Sequence, residues 1–138
     1  MVNTKRKILI IATFTIFFLL TLFLIYKNNT QKVNIYLFKG EGCPHCAQEL
    51  ADLEEILSTS NYKNKANLIE YEVWYNEENK DLLEKVENKL NIEIKGVPFT
   101  IIGDKYFSGY SSSMKDSIKK YIDNAYKNKK DILKDIGE

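Results

Sequence analysis

The stretch Glu41-Gly42-Cys43-Pro44-His45-Cys46-Ala47 holds both cysteines of the chain, two residues apart. Before it, Val33 to Phe38 has the β-branched and aromatic content of a strand that ends at Gly40. After it, Cys46, Leu50, Leu53 and Leu57 recur at helical spacing. The cysteines therefore sit where a strand hands over to a helix, and three kinds of chemistry compete for them.

A structural disulfide here would close a loop of two intervening residues, for which loop-closure entropy gives its smallest stabilisation. A structural zinc ion usually takes four protein ligands, and the chain offers Cys43, Cys46 and its single histidine, His45, with no second C-x-x-C. Metal binding would need carboxylates or a second copy of the chain. Redox chemistry fits the position. At a helix start, unpaired backbone N–H groups and the positive end of the helix dipole favour a thiolate at Cys43, and cysteines so placed ionise at about 3.5–7.5. Pro44 suits the first helical position, where its missing N–H costs nothing. His45 adds to the lowering if it is protonated or donates toward Cys43, and otherwise is a solvent-facing residue that tolerates the turn. Lys39 works for the thiolate and Glu41 against it.

Outward from this loop, Leu68 to Tyr75 reads as a second strand, with Trp74 and Tyr75 as half-buried packing at its end. Asn76 then caps a helix that carries Glu77 and Glu78 in its first turn and Leu82, Leu83, Val86 and Leu90 as its buried stripe. Phe99–Ile102 and Tyr106–Gly109 flank Gly103-Asp104-Lys105 as a hairpin. The cluster Ser111–Ser113 starts a last helix with Ile118, Tyr121, Ile122 and Ala125 on its apolar side. Beyond it Lys127–Asp131 is polar before Ile132, Leu133 and Ile136 return, which leaves both a break and a continuation open. The order β-α-β-α-β-β-α specifies an α/β domain over 33–138, with a mixed sheet and helices on both faces.

Ile8 to Tyr26 is a different kind of segment: 19 residues without a charge, polar only at Thr13, Thr15 and Thr21. As a helix it would be about 28 Å long, close to the ~30 Å hydrocarbon core of a bilayer. Lys5, Arg6 and Lys7 precede it, so the positive-inside rule assigns 1–7 to the cytoplasm and the domain to the outside, an oxidising compartment. A cleaved signal peptide is the competing reading. The run exceeds the ~7–15 residues of a signal h-region, and Leu24-Ile25-Tyr26-Lys27-Asn28 offers no small-x-small cleavage site, so a retained anchor over 8–26 is favoured. Residues 27–32, KNNTQK, form a polar linker that reaches about 20 Å at most. A formal net charge of +1, with both signs interspersed along most of the chain, points away from a nucleic-acid partner.

Two separated motifs resemble the thioredoxin superfamily over roughly residues 33–126: Cys43-Pro44-His45-Cys46 at a helix start, and Gly96-Val97-Pro98-Phe99-Thr100, which is similar to the segment where that family carries a cis-proline beside its disulfide. The element order agrees with both. The resemblance implies a thioredoxin-like fold behind one N-terminal transmembrane helix. It further implies that Cys43 is the exposed attacking cysteine, Cys46 the buried resolving one, Pro98 the proline packed against the pair, and the Val97 backbone the edge that pairs with a client strand. An ordinary trans proline opening a strand is the plain alternative for Pro98. C-P-H-C with Val before the proline resembles extracytoplasmic oxidants of the DsbA type. Asn76 to Lys95 holds one helix and no helical insertion; Leu37 stands where thioredoxins have a buried Asp, and Gly42 where they have Trp. The segment from Val97 to Gly109 also resembles glutaredoxins, but Ser108-Gly109-Tyr110 replaces their Gly-Gly-Asp, and glutathione binding is not expected.

The expected function is a membrane-anchored extracytoplasmic thiol–disulfide oxidoreductase acting on protein thiols of exported clients as an oxidant, with the Cys43–Cys46 disulfide as its redox centre and no other cofactor. A reductant or relay fed by a membrane redox partner keeps the same chemistry and reverses it. An accessory or immunity-like binding module with a vestigial or metal-binding C-x-x-C is the alternative from another class.

Overall fold

The computed structural model describes residues 2–29 and 31–134, in two compact units, 1–31 and 32–138. In the first unit, helix α1 spans Val2–Asn29, and its segment Asn3–Lys27 is long and apolar enough to cross a membrane, a property shared by signal sequences. The hydroxyls of Thr13, Thr15 and Thr21 donate to the carbonyls of Ile10, Ala12 and Phe18 at 2.8, 2.9 and 2.7 Å. Each of these three hydroxyls is thereby satisfied within the helix. The expected linker is shortened, because the helix continues through Lys27 to Asn29, and Thr30 lies outside the described residues. Lys27 in the last turn complements the negative end of the helix dipole.

The second unit follows the expected order. Strand β1 (Val33–Lys39) leads to α2 (Pro44–Ser58), β2 (Ala66–Glu72), α3 (Glu77–Leu90), β3 (Phe99–Ile102) and β4 (Lys105–Ser108). A 3₁₀ turn at Ser112–Met114 then opens α4 (Lys115–Asn128). The sheet order is β2-β1-β3-β4; β1 pairs parallel with β2 from Val33↔Ala66 to Lys39↔Glu72, and antiparallel with β3 from Ile35↔Ile102 to Phe38↔Phe99. Because side chains alternate across a strand, β1 feeds two cores. Val33, Ile35 and Leu37 join Leu53 and Ile56 of α2 and Ile118 and Ile122 of α4 on one face. Tyr36 and Phe38 join Leu82 and Val86 of α3, with Phe99 and Ile101, on the other. Helices cover both faces, as the element order required.

Two boundaries differ from the sequence expectation, and a third, left open there, is settled. β2 starts at Ala66 and stops at Glu72, leaving Trp74 and Tyr75 off the sheet and exposed by 52% and 77% rather than half-buried. The Glu72 carboxylate causes this: it accepts the Trp74 and Tyr75 N–H groups, both at 2.9 Å, and turns the chain before another ladder pair forms. The hairpin turn is Gly103-Asp104, with Lys105 already in β4. At the C-terminus α4 breaks at Lys129, which takes a left-handed conformation (φ 55°) and donates its N–H to Ala125 O at 2.8 Å. The chain then crosses to the α3 face: Ile132 N–H bonds Gly103 O at 3.1 Å, and Leu133 is 1% exposed in the second core. Ile136 lies outside the described residues. Asn76 caps α3 as expected, accepting the Asn79 N–H at 3.1 Å.

Candidate redox site

β1 and β2 run parallel and end together, and antiparallel β3 begins at the same end of the sheet. The loop after β1 holds the cysteines. Gly42 takes φ +78°, a conformation that costs residues with a Cβ, and this swings Cys43 into the N-cap position of α2. Pro44 occupies the first helical position, and Ala47 N–H closes the first turn onto Cys43 O at 3.1 Å. The Cys46 N–H donates to Cys43 Sγ at 3.2 Å, so the sulfur does what a serine or aspartate oxygen does at other caps. Cys43 and Cys46 are joined as a disulfide with their Cα atoms 5.3 Å apart.

Cys43 is 8% and Cys46 2% exposed. The outer cysteine is the expected one, yet it is buried rather than exposed, because the β3 approach packs on it: Cys43 Sγ lies 4.0 Å from the carbonyl oxygen of Val97. Val97 is half-buried, Pro98 is buried, and the bond between them is cis. Pro98 O accepts the Gly109 N–H at 2.8 Å, fastening this loop to the end of β4. His45 is exposed on α2; the donor at Cys43 Sγ is the Cys46 N–H. Lys39, expected to favour a thiolate, is paired with Glu70 at 2.5 Å.

Three further residues shape the site. Glu49, one turn after Cys46, is fully buried; Thr100 Oγ1 donates to its Oε1 at 2.5 Å, and among the described residues its Oε2 has no hydrogen-bond partner. Burial pushes its carboxyl up to about 7, with the Thr100 bond opposing. Glu72 ties the loops together, since beyond Trp74 and Tyr75 its carboxylate accepts the Glu41 N–H at 3.2 Å. Burial raises the Glu72 carboxyl, but these backbone donors outweigh it and hold the group below its ordinary value. Trp74 lies against Gly40 so closely that a Cβ there would stand 2.2 Å from the indole. Glu49 carried one sequence signal: it is three residues after Cys46 and four before Leu53, on the buried face of α2. Glu72 and Trp74 carried none that separated them from a continuing strand.

A disulfide at a strand–helix junction faces a cis-proline that opens the antiparallel strand beside it, in a mixed four-stranded sheet covered on both sides. The domain has a thioredoxin-like fold. No protein-family model matches the sequence, and no curated protein does. Among solved structures the chain is similar to the glutaredoxin grx-1 of Archaeoglobus fulgidus, at 26% identity and TM-score 0.42, over 70% of this chain and 91% of that one. It is also similar to a structure described as the thiol:disulfide interchange protein DsbE of Chlorobium tepidum, at 14% identity and TM-score 0.48, over 73% and 84% of the two chains. A C-x-x-C disulfide in this thioredoxin-like setting suggests thiol–disulfide redox activity.

Proposed function

We propose that the chain is a membrane-anchored extracytoplasmic thiol–disulfide oxidoreductase that oxidises cysteines of exported proteins. The observation that carries this is the Cys43–Cys46 disulfide at the mouth of α2, with the Cys46 N–H aimed at Cys43 Sγ. A client thiolate attacks Cys43 Sγ; a client–Cys43 disulfide forms, the Cys43–Cys46 bond breaks, and Cys46 leaves as a thiolate that takes up a proton. A second client thiolate then attacks the client sulfur, and Cys43 departs with the electron pair. The client loses two electrons and the protein gains them. The departing Cys43 thiolate is stabilised by the Cys46 N–H and the helix terminus, which makes the reduced form a good product.

In this proposal the Val97 backbone aligns the client as an added strand beside Pro98, and His45 and Pro44 complete the first turn of the helix. A membrane redox partner would re-oxidise the dithiol. The apolar run of α1 from Ile8, preceded within the helix by Lys5, Arg6 and Lys7, supports the anchor and its orientation. The test is a Cys46→Ser variant in membranes of the native host: mixed disulfides on Cys43 should accumulate, and their absence would remove the enzyme reading. A reduction potential at or above the glutathione couple is expected for the domain, whereas one near thioredoxin's would reverse the electron flow.

A further inference from the structure

We infer that the end of the domain opposite the disulfide is a lysine surface that rests on anionic lipid headgroups, so that Cys43 faces the aqueous side. This rests on the membrane-anchored reading above and extends it from the apolar helix to the domain.

Three segments meet where β1 begins. Val33 N–H donates to Lys65 O at 2.8 Å, which brings in the turn after α2, and Lys32 Nζ donates to Lys63 O at 3.2 Å. Ile35 lies opposite Ile102, so the β3–β4 turn is at the same end, and Lys130 Nζ, from just beyond α4, reaches Asp104 of that turn at 3.0 Å. A Cβ on Gly103 would stand 2.6 Å from that of Ala125, which seats the last turn of α4 there as well. The chain enters the domain at this end, since residues 30–32 separate Val33 from α1.

Charge divides along β1. At the entry end Lys65 pairs with Asp123, while Lys105 and Lys130 share the single carboxylate of Asp104. Lys32, Lys63, Lys127 and Lys129 are exposed and have no carboxylate partner among the described residues. Asp135 and Glu138, outside the described residues, are too few to balance them. The other end of the strand is about 20 Å away at ~3.3 Å per residue. There Glu41, Glu77 and Glu78 are exposed, and Lys39 is committed to Glu70. An anionic surface therefore attracts the entry end and repels the disulfide end.

Two tyrosines favour lipid over a dissolved polyanion. Lys65 Nζ lies 5.3 Å from the centre of the Tyr62 ring and Lys129 Nζ 4.3 Å from that of Tyr126, with both rings half-buried. Tyrosine beside lysine suits a headgroup layer, where the apolar body of each side chain and its polar tip find different surroundings. Each lysine close to an anionic leaflet strengthens attachment about fivefold. Covalent linkage to a membrane helix keeps that leaflet at high effective concentration.

The experiment places the full-length oxidised chain in lipid nanodiscs, of phosphatidylcholine alone or mixed with phosphatidylglycerol. Lysines are acylated briefly with a water-soluble reagent and read residue by residue by mass spectrometry. In the mixed discs Lys63, Lys127 and Lys129 should label about fivefold more slowly than in the neutral ones, with Lys80 and Lys95 unchanged. Salt at ~1 M, where screening shortens to ~3 Å, should remove the difference. Lys63→Glu combined with Lys127→Glu, both at exposed positions, should restore the labelling of Lys129. Trp74, at the disulfide end, should keep its emission when the acyl chains carry bromine. Equal labelling in the two discs, protection that survives high salt or the double change, or quenching of Trp74 would overturn the lysine surface. A chain that does not enter nanodiscs at all would instead overturn the anchor beneath it.

Discussion

Glu49 makes the stability of the domain depend on pH in an unusual direction. Its carboxyl is fully buried, bonded among the described residues only to Thr100, and raised from 4.5 to about 7. Below pH 4.5 the group is protonated in both folded and unfolded chains, and it contributes no pH dependence. Between 4.5 and about 7 the unfolded chain releases the proton while the folded chain holds it, so stability falls as pH rises. Above the folded value both forms are ionised and the loss is complete. At about 1.4 kcal/mol per pH unit, that interval amounts to roughly 3 kcal/mol, or roughly 10–20 °C in Tm for a domain of this size. Glu49→Gln keeps an acceptor for Thr100 and cannot ionise. The assay is urea unfolding of the oxidised full-length chain at pH 5, 6, 7 and 8, followed through Trp74, the single tryptophan. The native chain should weaken from pH 5 to about 7 and level off toward pH 8, and the variant should stay nearly level throughout. Equal slopes in the two proteins, or a native chain that gains stability toward pH 8, would refute the assignment.

Other perturbations probe the loops and the C-terminal segment. Gly40→Ala places a methyl 2.2 Å from the Trp74 indole and should expel the ring, with red-shifted emission and a loss of about 1–3 kcal/mol; unchanged emission would contradict this packing. Leu133→Ala removes a side chain that is 1% exposed and should cost about 2–5 kcal/mol in denaturant unfolding, whereas a neutral result would mean the segment does not complete the second core. Asn76→Ala deletes the cap of α3 and should cost about 1 kcal/mol by the same measurement.

Element order was legible because hydrophobic period and caps agree in each segment: Asn76 with Glu77 and Glu78 announces α3, and alternating residues in β1 sort cleanly onto two cores. The cysteine loop was equally legible, since C-P-H-C after a strand leaves little else for Cys43 to be than a helix cap. The end of β2 was not. Val73, Trp74 and Tyr75 have strand composition, and what stops the strand is one carboxylate folding back on its own backbone, a local bond that propensity does not encode. Glu49 was hidden for the opposite reason. The stripe Cys46, Leu50, Leu53, Leu57 describes the helix well, yet the face that is buried runs through Cys46, Glu49, Leu53 and Ile56, and a glutamate in a charged sequence reads as solvated surface. The crossing of the C-terminal segment depends on a left-handed Lys129, which lysine does not signal.

That crossing has a consequence for biogenesis. Tyr36 in the first strand donates its hydroxyl to Asp131, 95 residues later, at 2.9 Å, and Leu133 closes the layer over the same strand. A polypeptide delivered from its N-terminus thus lays down the two sulfurs long before the residues that finish the hydrophobic layer behind them. Maturation of the thiol pair is bound to the arrival of the tail, and a chain cut short just after α4 would present its cysteines on an unfinished scaffold.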